Sequence, residues 1–409
     1  MTPILRYGLD ASLAFEPSKG MLLAQCGSPA IEPVEDIEEE VRRALREPLD
    51  YPPFSAAVTP GDRVVVTLSD EAPHAAEIVA AVVDSLVESR VDPEAITVLR
   101  SDRSPEADPC RLLPDPIRAQ VVSLRHAPQE REALAYLATT QHGEAIFLHR
   151  AIVDADLVVP IGCFRGNSAA GYHGIHTPIY PTFSDRATVQ RFRSTATLDA
   201  RRRHRKRLAR EADEVGWLLG AAFTIQVMPV RGDRVYRVLA GKFDAVRRCG
   251  MELYSELWND HIPRRAALVL AAIEGNASQQ TWDNLGRALE TAVELVEPGG
   301  GLAICTELAA LPNAAIGCLK MARSPEEALQ HLCREEADDS LAAVQLARAL
   351  EHCSVYLLSR LDDGLVEDLQ MTPVDDAADL VRLANRAESF LLLGNASYAQ
   401  VTVEDERDE

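Results

Sequence analysis

Apolar and polar positions divide the chain into alternating buried strands and amphipathic helices. Within GDRVVVTLSD (61–70) the apolar run is almost continuous, as in a parallel strand covered on both faces. HAAEIVAAVVDSLVESRV (74–91) follows, with Ile78, Val82, Leu86 and Val87 on one helical face, and ITVLRS (96–101) is the next strand. Strand, helix and strand in about forty residues form the unit of a parallel α/β sheet. QVVSLRH (120–126) predicts a further strand, EREALAYLATT (130–140) a helix, and EAIFLHRAIVDADLVVPIG (144–162) two strands around a short turn.

A loop rich in Gly, His and Pro spans 163–184, and a helical region then runs to 216. FTIQVMPV (223–230) and RVYRVLAG (234–241), joined by Arg-Gly-Asp, predict an antiparallel hairpin. The alternation then restarts, with strands at 266–273, 301–307, 355–359 and 389–394 and helices at 281–296, 325–335, 340–351 and 375–386. The expected fold class is α/β: two domains, each a mostly parallel sheet flanked by helices, with a cleft between them. The expected divisions are 1–256, a smaller domain at 257–402, and an acidic tail at 403–409 whose composition predicts disorder.

Length and charge narrow the partners. A chain of 409 residues suits two domains. Its net charge of −21 repels nucleic-acid phosphates and anionic lipid, so neither is an expected partner. RRRHRKRLAR (201–210) reads as a solvated helix face balanced by Glu211, Asp213 and Glu214. No apolar run approaches the roughly 20 residues of a membrane helix. The opening MTPILRYGLD lacks signal-peptide features, and the eight cysteines form no C-x-x-C pair, so a reducing cytoplasm is the expected location. Lysine is scarce: Lys19, Lys206, Lys242 and Lys320 are the only four.

Generic motifs supply no chemistry. There is no G-x-G-x-x-G or Walker phosphate loop, no G-x-S-x-G and no H-E-x-x-H, and EPGGGLAI (297–304) reads as a helix C-cap. The loop CFRGNSAAGYHGIHTPIYPTFS (163–184) stands out, because it follows a buried strand and carries small residues with Arg165, His173 and His176. Histidines three apart can serve as acid and base or ligate a metal; the plainer alternative is a pair bonded to backbone.

Taken together, the chain resembles the lactate racemase family, enzymes that racemise 2-hydroxyacids with a nickel-pincer nucleotide. The resemblance rests on GDRVVVTLSD, on YLATTQHGEAIFLHRAIVDADLVVPIG (136–162) and on AAGYHG (169–174), which is similar to the family's Ala-Gly-Tyr/Phe-Ser-Gly-Gly loop. AAFTIQVMPVRGDRVYRVLAGKF (221–243) and NLGRALETAVELVEPGGGLAI (284–304) extend it over nearly the whole chain. It implies an interdomain cleft in which a lysine tethers the cofactor, one histidine binds nickel, and two others exchange the hydroxyl proton while hydride leaves and returns to C2.

The functional positions depart from that pattern. In SDEAPH (69–74) Asp70 is kept, but Pro73 stands at the family's arginine. In RSDRSP (100–105) Asp102 replaces a catalytic histidine and Arg103 is kept; Gly166-Asn167 replaces Pro-His; Thr177 occupies the tether position; Asn284 and Arg287 replace a glutamine and a lysine. Threonine has no amine, so covalent attachment of the pincer nucleotide is not expected, and no other cofactor is indicated. Hydride transfer needs an electron-accepting cofactor, so orthodox lactate racemisation is not expected either. The expected ligand is a small anion or hydroxyacid, bound by Asp70, Arg103, Arg165, Asn167, Asn284 and Arg287. An active protein would be an isomerase of racemase or epimerase type, using His173, His176, Asp102 or His74. The alternatives are a catalytically inactive binding or regulatory module, and a metal enzyme ligated by His173, His176 and Asp70 or Asp102.

Overall fold

The computed structural model describes residues 2–15, 20–166, 170–199, 203–332 and 339–404. Two six-stranded sheets organise them. In the first, the order is Arg234–Gly241, Thr224–Arg231, Leu157–Cys163, Val64–Leu68, Ile96–Arg100 and Val122–Arg125, and every neighbouring pair is parallel except the hairpin at one edge. Val64–Leu68 is buried at every position, which is why its sequence does not alternate. Helices Ile37–Arg46 and Ala75–Glu88 cover one face, with Val41, Ile78, Val82 and Leu86 fully buried.

The second sheet is all parallel, in the order Thr372–Pro373, Ser354–Leu358, Val296–Cys305, Ala266–Ala272, Ser389–Leu393 and Met21–Cys26. Its edge strand comes from the start of the chain. Leu5, Leu13 and Phe15 of the preceding hairpin pack on the same sheet against Phe390 and Leu392. A division by sequence order at 256 therefore leaves this segment on the wrong side: a short edge strand with no helix joining it to its partner gives no β-α-β pattern to read.

The helix expected over 130–140 is instead a strand. Leu134–Thr139 pairs antiparallel with Ala145–His149, and Tyr136 sits opposite Phe147 with ring centroids 5.9 Å apart. Glu, Ala and Leu favour a helix here, but cross-strand pairing and the turn at Gly143 (φ +83°) override that weak preference. Among the described residues no helix is long and apolar enough to cross a membrane. Residues 405–409 of the acidic tail lie outside the described residues.

A hairpin tip pins the two sheets together. Gly232 N donates to Asn395 Oδ1 (2.7 Å) and Asn276 Nδ2 to Asp233 Oδ2 (2.6 Å). Asn395 Nδ2 also reaches Gly27 O and Glu274 Oε1. Gly232 has φ +52°, and a Cβ there would lie 2.4 Å from Gly275 N, so only glycine fits the turn.

Candidate functional site

In each sheet the strand order reverses beside a central strand, and the loops that leave the C-terminal ends at that point form a crevice. In the first sheet these loops follow Val64–Leu68 and Leu157–Cys163; in the second they follow Ala266–Ala272 and Ser389–Leu393. The two crevices face one another. Ser69 N donates to Ile161 O (3.1 Å), and Thr67 Oγ1 donates to Pro178 O (2.8 Å), tying the glycine loop to the sheet. Gly162 permits that contact, since a Cβ there would lie 2.4 Å from Pro178 Cγ.

Guanidinium groups fill the cleft. Arg165, 1% exposed, donates through Nε to Glu71 Oε2 (2.5 Å), through Nη1 to Ser397 O (3.1 Å) and through Nη2 to Asn284 Oδ1 (3.3 Å). Its guanidinium carbon lies 4.2 Å above the Tyr398 ring. Arg287 approaches from the opposite side, donating to Glu71 Oε1, to Asn284 Oδ1 (3.0 Å) and to Ala170 O (2.9 Å). Glu71 therefore joins one arginine from each half. Asn284, whose amide nitrogen donates to Gln279 O (2.9 Å), holds both arginines from beneath.

A second group lies beside it. Arg103 Nη2 and Arg193 Nη2 both donate to Asp283 Oδ2, at 2.5 and 2.9 Å, and Arg103 Nε is 3.7 Å from Asp70 Oδ2. Burial alone would raise the Glu71 and Asp283 pKa values, but their arginine partners outweigh it. Glu71 is lowered to about 2 by Arg165 and Arg287, and Asp283 is lowered by Arg103, Arg193 and Arg287. Asp70 goes the other way: burial and the neighbouring Glu71 charge raise it, although Arg103 and Arg193 oppose them. Four guanidiniums thus face two carboxylates held ionised and a third whose ionisation is opposed by burial and by Glu71.

Next to this lattice is a cavity of about 60 Å³, lined among others by Asp70, Asp102, Arg103, His173, Thr177 and Arg193. Burial lowers His173 to about 3, and its Nε2 is buried with no hydrogen-bond partner. An outer cavity of about 360 Å³ is bounded by Arg103, Arg165, Asp283 and Arg287.

Of the residues expected from sequence, Asp70, Arg103, Arg165, Asn284 and Arg287 come together in the cleft, and Asp102 and His173 line its inner cavity. His176 does not. Gly174 (φ +99°) and the turn closed by Thr177 N to Gly174 O send it to the far side of the loop. There its Nδ1 bonds Asp213 Oδ1 (2.7 Å) and its ring stacks on Phe243. His74 caps the helix Ala75–Glu88 and contacts Glu77 rather than the cavity. Asn167 lies outside the described residues. Among the described residues no three His, Cys, Asp or Glu side chains converge as a metal-binding set, so the grouping of His173, His176 and an aspartate is not formed. Sequence reasoning missed Glu71, Asp283 and Arg193. The first two adjoin residues that were chosen, Asp70 and Asn284, whereas Arg193 gave no local signal.

Residues 7–204 match the family described as the lactate racemase N-terminal domain. The resemblance read from the sequence is thereby borne out over residues 7–204. Among solved structures, the lactate racemase apoprotein from Thermoanaerobacterium thermosaccharolyticum superposes with a TM-score of 0.80 at 18% identity, covering 98% of this chain and 100% of that one. A Thermotoga maritima protein solved by structural genomics gives 0.65 at 12% identity, covering 91% and 100%. At these identities the likeness is one of fold. No curated protein matches the chain.

The lactate racemase domain implies a tethered pincer nucleotide, and the residues present do not fit one. Thr177 Oγ1 donates to Gly174 O (2.7 Å) and accepts from His173 N (3.1 Å), so it is a structural hydroxyl rather than an amine. The cavity beside it, about 60 Å³, is far below the roughly 300–1,000 Å³ of sites for drug-sized ligands, too small for a nucleotide.

Proposed function

We propose that the protein binds a small carboxylate in the cleft, with 2-hydroxy acids the first class to consider. The observation that carries this reading is the surplus of positive charge: four guanidiniums, of Arg103, Arg165, Arg193 and Arg287, face the three carboxyl groups of Glu71, Asp283 and Asp70, and the ionisation of Asp70 is opposed by burial. An anion completes the balance, and guanidinium forks suit a carboxylate. His173 Nε2, unpartnered on a residue that lines the inner cavity with Arg103 and Arg193, is the acceptor we assign to a 2-hydroxyl, and the likeness in fold to a lactate racemase supports that substrate class. In this reading the family's racemisation is not performed, because His173 is the cleft's one histidine among the described residues, where the family uses two, and the tether is missing.

A second reading has its own observation. Asp70 and His173 line one cavity and their pKa values are moved in opposite directions, the pattern of an acid and base pair. It makes the protein an isomerase acting at C2. Titration calorimetry with L- and D-lactate, glycolate and malonate, using the intact protein and His173→Ala, tests binding. Deuterium entry at C2 in D2O tests isomerisation. Absence of heat with every carboxylate removes the first reading; absence of deuterium entry removes the second, and entry that survives His173→Ala removes His173 as its base.

A further inference from the structure

We propose that the protein has a second ligand site, for an aromatic carboxylate, in the cavity of about 480 Å³ behind the glycine loop. It lies between that loop and the helices Arg203–Leu218 and Phe243–Trp258, and is separate from the arginine lattice. Phe164, Tyr172, Ile175 and Met251 give it an apolar lining. Two aromatic rings and a polarisable thioether favour a flat apolar body. Its volume falls within the range of small-molecule sites.

Charge sets the sign of the ligand. Arg205, Lys206 and Arg247 line the cavity against one lining carboxylate, Asp213, which is already shared by His176 and Arg247. Arg205 has Glu290 as a partner (3.2 Å), whereas Lys206, exposed, makes no ion pair among the described residues. Arg247 Nε, on a lining residue, is buried without a hydrogen-bond partner although its terminal nitrogens bond Asp213. Buried donors are ordinarily satisfied, so this one leaves a hydrogen bond to be made. An exposed ammonium, an unpartnered guanidinium nitrogen and two aromatic rings lining one cavity together describe a carboxylate on a ring.

Phenylacetate, benzylamine and 2-phenylethanol are the probes, titrated into the full-length protein and followed by calorimetry. Phenylacetate is expected to bind, and benzylamine, of the same shape and opposite charge, is not. Lys206→Ala should weaken phenylacetate about fivefold, the effect of one partly exposed ion pair. Met251→Trp, at a position 36% exposed where a larger side chain can be carried, should abolish binding by filling the cavity. Both variants should keep the unmodified protein's thermal midpoint within about 2 °C and its response to lactate. Failure of phenylacetate to bind, equal binding of benzylamine, or phenylacetate binding that survives Met251→Trp overturns the proposal. Loss of lactate binding alone leaves it standing.

Discussion

Replacing Glu71 with Gln should make the protein less stable and a better anion binder at once. The substitution keeps the shape of the side chain and removes its charge. One carboxylate oxygen now receives Arg165 Nε at 2.5 Å and the other receives Arg287. A carboxamide can accept from only one of them and turns its NH2 toward the other. Arg165 and Arg287 are 1% and 5% exposed, so water cannot replace the lost charge. Breaking a buried ion pair by removing one partner costs about 3–5 kcal/mol. The remaining bonds from Arg165 to Ser397 and Asn284 point to the lower end, about 3 kcal/mol. For a protein of 409 residues that corresponds to a fall in thermal midpoint of about 3–4 °C. The same vacancy leaves two guanidiniums facing the cleft, so malonate or lactate should bind about tenfold more tightly, as expected for one charge-assisted hydrogen bond gained. Added malonate should then recover part of the lost midpoint. Scanning calorimetry and titration on the two proteins supply both numbers. A midpoint within 1 °C of the parent, or a destabilised variant whose anion affinity does not rise, would refute the charge-balance argument.

Other consequences can be measured separately. Glu71 has a lowered folded-state pKa, so its contribution to stability is complete above its unfolded value near 4.5 and is lost as the pH falls toward about 2, with Asp283 acting in the same direction. Urea midpoints at pH 5 and pH 3 should differ accordingly, and Glu71→Gln should flatten that dependence. Asp70 has a raised pKa; as rising pH ionises it, one guanidinium is cancelled, so lactate affinity should fall with pH and Asp70→Asn should remove the trend. Gly232→Ala meets both a positive φ and the Gly275 backbone at 2.4 Å, and should lower stability by about 2 kcal/mol in urea titrations while leaving the cleft chemistry alone. Gly216→Ala places a methyl 2.2 Å from His176 Cδ2, and should cost about 1–3 kcal/mol without changing lactate binding.

The α/β alternation could be read from the chain wherever both faces of a strand are covered, as in VVVTL and ALVLAA, because continuous burial leaves continuous apolar text. It could not be read where pairing partners are remote. Leu134–Thr139 takes its conformation from Ala145–His149 across a turn, and Met21–Cys26 from a strand near the other end of the chain. The site shows the same division. Arg103, Arg165 and Arg287 were visible as charges in or beside ligand loops. Their neutralisation by Glu71 and Asp283, which decides what they can still bind, depends on how the two sheets face one another. His173 and His176 looked equivalent because spacing along a loop carries no side. One turn at Gly174 separates them, and only His173 reaches the cleft.

The edge strand Met21–Cys26 also sets a schedule for biosynthesis. Its neighbour, Ser389–Leu393, leaves the ribosome about 360 residues later, an interval of roughly 20–70 s at about 5–20 residues per second. Over that interval the earlier segment carries unmatched amides and Leu22, Leu23 and Ala24 without a sheet to receive them, while Val64–Leu68 and its neighbours can already assemble. The unit that begins first is therefore completed last, and a nascent chain halted before 389 exposes an unfinished sheet border to chaperones or to another copy.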